Sequence, residues 1–200
     1  FFTKRKNYKK YSETIQISNR VNSKLKSRQI YNFSKLRLKT NKPIHDFKYI
    51  TISIGGFSQP SLWKINKWSF LTKLILSNSN YKILIIGTKD DIASANQISL
   101  INKNKIINLC NKTNLNQLIN IIKFSKFHIT NDNGSMHVST LFKKKTICLF
   151  NNHDPEGKWY PLNKNAIILR DKMGINKISP IKVFKNLCRF NNFRYDLSRR

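Results

Sequence analysis

The sequence predicts an α/β fold, a doubly wound parallel sheet flanked by helices, on three observations. From Tyr49 onward short apolar runs alternate with stretches of helical length, the mark of repeated βαβ units. At 200 residues with 40% hydrophobic side chains, the chain is long enough for one such domain and its core. The polar turn Asn131-Asp132-Asn133-Gly134 joins an apolar strand directly to a helix start, and ligands of these sheets bind beyond the carboxyl ends of the strands.

Residues 1–47 are basic and polar with weak periodicity and a turn signal at Lys42-Pro43, and they read as a linker or the remnant of a preceding domain. The folded domain is expected over residues 48–190. Its first strand is expected at Tyr49–Ile54, followed by the loop Gly55–Ser61 and a helix at Lys67–Asn78. A strand at Lys82–Ile86, a helix at Asp90–Asn102 and a strand at Ile106–Asn108 come next. A helix at Asn114–Phe124 leads to the strand Phe127–Thr130 and the helix Ser135–Phe142. Strands at Thr146–Phe150 and Ala166–Leu169 and a helix at Ser179–Cys188 complete the domain, and residues 191–200 form a basic tail.

The segment Asp132-Asn133-Gly134-Ser135-Met136-His137 has the makings of an anion site. The first N–H groups of a helix lack intrahelical partners, and the helix dipole adds positive charge there. Gly134 lets the backbone approach closely, Asn133 can donate from its side chain, and His137 lies one turn into the helix. The competing reading is a plain strand-to-helix connection capped by Asp132 or Asn133. The loops Gly55–Ser61 and Asn151–Pro161 are expected at the same edge, the latter dense in acidic, basic and aromatic side chains. Only Gly55-Gly56 appears where a dinucleotide fold would carry three spaced glycines, which argues against a nicotinamide or flavin dehydrogenase.

The net charge of +29 invites a nucleic-acid reading. Lysine is scattered evenly along the chain together with abundant Asn and Ile, however, as AT-rich codons would produce, so no specific nucleic-acid partner is expected. Such a surface is still attracted to anionic membranes. Cys110, Cys148 and Cys188 show no metal-binding spacing. No apolar run reaches the roughly 18 residues of a membrane span and no signal-peptide pattern opens the chain, so a cytoplasmic location is expected, with peripheral docking at the inner membrane as an open alternative.

Taken together, four motifs in order resemble glycosyltransferase family 9, the heptosyltransferases of lipopolysaccharide core assembly. The turn Asp132-Asn133-Gly134-Ser135-Met136-His137 is similar to the family's Asp-Ser/Thr-Gly-x-x-His, and the strand ending at Phe150 precedes Asp154-Pro155, Trp159 and Pro161. Leu109-Cys110-Asn111-Lys112-Thr113-Asn114-Leu115 is similar to the family's Leu-x-Gly-Lys-Thr-x-Leu, and Ile54-Gly55-Gly56 with Trp63 to its first strand and loop. The resemblance spans residues 49–190. It implies a GT-B architecture of two Rossmann-like domains, of which this chain looks like the C-terminal, nucleotide-sugar-binding half.

The resemblance also implies roles. Asn133, Gly134 and Ser135 would bind the diphosphate, His137 would add a hydrogen bond or charge, and Gly55 and Gly56 would approach the phosphates from the other side. Asp132 and Asp154 would lie on the sugar side. Leu109, Cys110, Lys112 and Thr113 would line the nucleobase and ribose pocket, plausibly for adenine, with Asp90 or Asp91 as a ribose contact. The implied reaction is inverting, metal-free and cofactor-free transfer from a nucleotide diphosphate sugar such as ADP-heptose to a lipid-linked or other saccharide acceptor. The general base is expected in the N-terminal domain, so no catalytic residue is assigned. Asn133 stands for a usual Ser/Thr, Ser135 for a frequent Pro, and Asn151 for a usual Gly, while Lys64 or Lys67 would have to supply the cation expected beside Trp63. The alternatives are a non-catalytic nucleotide-sugar-binding module and a basic nucleic-acid-binding protein.

Overall fold

Six short apolar segments lie side by side, and the four central ones bury both of their faces, which a sheet covered by helices on both sides allows. The computed structural model describes residues 42–56, 62–153 and 155–190. In chain order these are β1 (Tyr49–Ser53), α1 (Ile65–Ser77), β2 (Lys82–Ile86), α2 (Ile92–Ser99), β3 (Ile106–Asn108), α3 (Leu115–Phe124), β4 (His128–Asn131), α4 (Gly134–Leu141), β5 (Thr146–Phe150), β6 (Ala166–Arg170) and α5 (Pro180–Cys188). The sheet runs β3-β2-β1-β4-β5-β6, and every neighbouring pair is parallel. The chain winds outward from β1 to β3, then crosses back to β4 and winds the other way. A crevice therefore opens between β1 and β4 at the carboxyl edge, where the two connections diverge.

One face carries α1, α2 and α5, with Ile50, Ile52 and Ile54 of β1 packed among Trp68, Leu71, Ile75, Val183, Phe184 and Leu187. The other carries α3, which packs Ile121 and Ile122 on Tyr49, Leu84 and Ile86, and α4, which packs Met136 against Cys148, Phe150 and Tyr160. The helix starts have local causes. Asn114 and Gln117 form a reciprocal capping box at α3, each side chain accepting the other's backbone N–H at 2.9 Å. Ser179 caps α5 by accepting from the Lys182 N–H, with Pro180 in the first turn.

The predicted strands are all present, with small shifts at their ends. The helix expected at Asp90–Asn102 is shorter. Lys89–Asp91 is a 3-10 turn closed by a capping box between Thr88 and Asp91, and the Asn102 side chain accepts from the Asn104 and Lys105 N–H groups, drawing the backbone out of the helix. Helix α1 begins at Ile65, before the predicted Lys67, because its cap residue Lys64 has no side-chain capping bond that the sequence could advertise. The expected linker up to residue 41, the tail 191–200, positions 57–61 of the first loop and Asp154 lie outside the described residues.

Candidate functional site

Helix α4 starts at the crevice, and its first turn is held by a chain of buried polar side chains. Asn133, the N-cap, has an extended backbone at φ −160. Its Nδ2 donates to the Gly55 carbonyl at 2.8 Å and to Ser53 Oγ at 3.0 Å. Its Oδ1 accepts from the Ser135 N–H at 3.0 Å and from Ser135 Oγ at 2.6 Å. The amide is thereby committed on both sides, and it clamps the end of β1 to the start of α4. Ser135 is itself buried, with His128 Nε2 at 3.0 Å and Thr130 Oγ1 at 3.2 Å from its hydroxyl. The Asn133 and Ser135 side chains thus both have partners inside the protein. A Ser or Thr hydroxyl at this position could cap the helix but is too short to reach Gly55 as well.

The network also fixes a tautomer. Since Asn133 donates to a carbonyl, its Oδ1 is the acceptor and the Ser135 hydroxyl the donor. Ser135 Oγ then accepts from His128 Nε2–H, and His128 Nδ1 lies 2.9 Å from Thr51 Oγ1, which is also 3.3 Å from the Phe127 carbonyl. His128 is fully buried, and burial pushes its pKa down to about 3. An unfolded His titrates near 6.5, so between about pH 6.5 and 3 the unfolded chain binds a proton that the folded one refuses. Stability supported by neutral His128 is present above pH 6.5 and is lost as pH falls through that window, at up to ~1.4 kcal/mol per pH unit. Urea unfolding at pH 7 and pH 4.5 is expected to differ by about 2–3 kcal/mol from this residue. The His128→Gln protein should lose that much less, and an undiminished pH dependence in the variant would refute the assignment.

Gly134 opens α4 and is exposed. A Cβ placed on it meets no atom within 4 Å, and its φ is not in the left-handed region, so neither the fold nor the backbone requires glycine there. His137 follows one turn later, half-buried, with its pKa lowered by desolvation. Its ring can offer a hydrogen bond at the mouth of the crevice. Across the crevice, Gly56 is exposed, and a Cβ on it would meet the Leu62 side chain at 2.9 Å and lie in ordinary contact with the Asp132 carbonyl at 3.5 Å. Asp132 is half-buried, and its charge, after burial, adds to what holds the Cys148 thiol well above its ordinary range.

Gly55 is placed differently from expectation. It is buried, and a Cβ there would land on the Asp91 carboxylate, which packs against Gly55 and Gly87. Asp91 Oδ2 accepts from the Thr88 N–H at 2.7 Å and from Thr88 Oγ1 at 3.1 Å. Gly55 thus makes room for the Asp91 carboxylate, and Asp91 joins the loops after β1 and β2. Asp90 stays exposed.

The segment after β3 continues this rim. Leu109 and Asn111 donate their N–H groups to Ile85 and Gly87 carbonyls, and Asn111 has φ 58, a left-handed conformation that suits Gly or Asn, which explains Asn at the family's glycine position. Cys110 is fully buried in the core, and burial with the nearby Asp91 charge pushes its thiol up to about 12. Leu109 is half-buried beside the α3 cluster, whereas Lys112 is exposed and Thr113 half-buried.

Trp63 is buried edge-to-face on Trp68 at 5.0 Å, and its Nε1 donates to the Ile178 carbonyl at 2.9 Å. Lys67 Nζ lies 3.4 Å from the same carbonyl, directing that cation to the start of α5, while Lys64 remains exposed at the head of α1. In the loop after β5, Asn151 Oδ1 accepts from the Asn152 N–H at 2.8 Å, and Arg170 and Lys172 hold Asn152 against the end of β6. Phe150 and Tyr160 meet at 4.7 Å beneath α4, with Trp159 beside them. Among the described residues no cluster of three or more His, Cys, Asp and Glu side chains could hold a metal ion.

Sequence reasoning missed Thr51, Ser53, His128 and Thr130. Their alternation with Ile52 and Ile129 was the available signal, since alternate strand residues share a face and these four lay a polar stripe under α4. Asn131 was missed as well: its Nδ2 donates to the Ile54 carbonyl at 2.6 Å and ties the ends of β4 and β1.

The profile of glycosyltransferase family 9 (heptosyltransferase) matches residues 7–190. Lipooligosaccharide heptosyltransferase 2 of Campylobacter jejuni serotype O:2 is 32% identical over 161 residues, 75% of this chain and 49% of that protein. The serotype O:6 protein of the same name is 39% identical over 97 residues, 45% of this chain and 31% of the relative. Among solved structures, E. coli ADP-heptose lipopolysaccharide heptosyltransferase II superposes with a TM-score of 0.66 at 23% identity, covering 72% of this chain and 46% of that one. E. coli heptosyltransferase WaaC with ADP gives 0.68 at 17% identity, covering 76% and 47%. The chain spans about half or less of the length of these proteins, and its six-stranded parallel fold matches about half of each solved chain. With its motifs in order and the profile running across nearly all of the folded region, the chain belongs to glycosyltransferase family 9, the heptosyltransferase family.

Proposed function

We propose that this chain holds the diphosphate of a nucleotide sugar, ADP-heptose by the names of its relatives, at the start of α4 and serves inverting, metal-free transfer of the sugar to a lipopolysaccharide or other lipid-linked saccharide. The observation that carries the reading is Gly134, exposed at the head of α4 in the switch-point crevice, with open space where a side chain would be. A diphosphate leaving group needs its developing charge met by dipoles already in place, which first-turn N–H groups provide. The Asn133–Ser135–His128 brace keeps those groups from rearranging. Asp132 and Asp154 are assigned to the sugar side, His137 to a hydrogen bond, and Lys112 and Thr113 to the nucleobase end. The base that deprotonates the acceptor is expected from the N-terminal domain of a GT-B pair, so this half alone binds the nucleotide sugar without turning it over.

Titration calorimetry with ADP and ADP-heptose on the wild-type and Gly134→Ala proteins tests the reading. Alanine is the better helix former, so the variant should be as stable as wild type or up to ~1 kcal/mol more so. Its affinity for ADP is expected to fall at least ~10-fold because the methyl group occupies the phosphate's approach, an effect of about 1.4 kcal/mol. Unchanged ADP affinity in the variant, or no nucleotide binding by wild type, would overturn it.

A further inference from the structure

We propose that Asn133-Gly134 is a deamidation site whose rate is set by the polar network beneath α4, so that opening of the first turn, and not age alone, converts Asn133 to an acid. It is the only Asn-Gly pair in the chain. Asparagine loses its side-chain nitrogen when the backbone nitrogen of the next residue attacks Cγ, and glycine permits that approach best because it has no Cβ in the way. Gly134 is open to such chemistry. It is exposed, a Cβ on it meets no atom within 4 Å, and its N–H stands before the first intrahelical bond of α4. The reaction balances without a cofactor. A base removes the Gly134 N–H proton, the nitrogen adds to Asn133 Cγ, and the Cγ–Nδ2 bond breaks as Nδ2 takes up a proton and leaves as ammonia. Water then opens the cyclic imide at either carbonyl, giving aspartate or isoaspartate and restoring the N–H of residue 134.

The fold opposes each step at the same residue. Ring closure needs the Asn133 side chain to fold back on the Gly134 nitrogen, within the ~3–3.5 Å of a near-attack geometry. Instead Oδ1 accepts from the Ser135 N–H at 3.0 Å and from Ser135 Oγ at 2.6 Å, and Ser135 is fixed in turn by His128 Nε2 at 3.0 Å. Nδ2 donates to the Gly55 carbonyl at 2.8 Å and to Ser53 Oγ at 3.0 Å, so its departure breaks both bonds. The backbone is held as well, extended at ψ 177, with the Asn133 carbonyl accepting from the Met136 N–H at 3.1 Å. Opening of the turn must therefore precede attack, and the observed rate is the intrinsic rate scaled by the open population. Conversion is not undone by reclosing. A carboxylate accepts and cannot donate, so aspartate at this position loses the tie to Gly55 and sets its charge against that carbonyl, while isoaspartate lengthens the backbone of the turn. The added charge also stands at the start of α4, where it repels a diphosphate, a consequence that rests on the nucleotide-sugar reading.

Tryptic peptide mapping by mass spectrometry decides it, on the full 200-residue chain held at mildly alkaline pH with and without urea, through the peptide spanning residues 127–143. In urea Asn133 should convert faster than any other asparagine, including Asn78, which precedes Ser79. In the folded chain its rate should be at least ~10-fold lower, because local opening limits it. Ser135→Ala removes the 2.6 Å bond and, once circular dichroism verifies its fold, should convert at least ~3-fold faster than folded wild type. The urea comparison stands by itself should that variant fail to fold. A folded rate equal to or above the unfolded one, an unchanged rate in folded Ser135→Ala, or faster conversion at Asn78 would overturn the proposal. Asn133→Asp makes the conversion genetically. It should unfold at a lower urea midpoint than wild type and, where wild type binds ADP, bind it at least ~10-fold more weakly. Wild-type stability and affinity in that variant would overturn the consequence drawn from the charge. The peptide map involves no nucleotide, so its outcome is separable from that of the nucleotide-sugar reading.

Discussion

Replacing Asn133 by Ala is expected to destabilise the protein by about 3 kcal/mol, measured as a shift in the urea midpoint at unchanged slope. Losing an N-cap costs about 0.5–2 kcal/mol. The further loss comes from the other end of the side chain, where the Gly55 carbonyl would be left without its 2.8 Å donor, and an unsatisfied buried acceptor costs about 1–3 kcal/mol. Asn133→Ser separates the two contributions. A hydroxyl at this position can accept from the Ser135 N–H, so roughly 1 kcal/mol should return, while the tie to Gly55 stays broken. A loss below about 1 kcal/mol for Asn133→Ala would mean that the clamp between β1 and α4 does not hold the crevice.

Gly55→Ala is expected to cost about 2–3 kcal/mol, through packing alone. No left-handed backbone is involved, so alanine is conformationally allowed; the added methyl group collides with the Asp91 carboxylate. That carboxylate cannot easily move, because it accepts from Thr88 through both the N–H and the hydroxyl. A double-mutant cycle with Asp91→Ala isolates the collision. Asp91→Ala removes the Thr88 capping box and destabilises by itself, but in its background Gly55→Ala should cost less than 1 kcal/mol, a coupling of about 1–2 kcal/mol. Strict additivity would show that Gly55 serves something other than the Asp91 packing.

Much of this was legible in the chain. The six strands follow from apolar runs too short for helices, and α3 and α5 from caps written as Asn114 with Gln117 and as Ser179 with Pro180. The turn at Asn131–Gly134 and its family resemblance located the crevice. The internal partners of those residues were not legible: Asn133 and Ser135 bond within the protein, Cys110 lies in the core, and Gly55 faces the Asp91 carboxylate.

The sequence by itself determined the elements, their order and the family, because periodicity, caps and turn residues act over a few neighbouring positions. Only the tertiary structure decided which polar groups are braces and which are open. Those partners lie far apart in the chain: Asn133 and Gly55 are 78 positions apart, and His128 and Thr51 are 77.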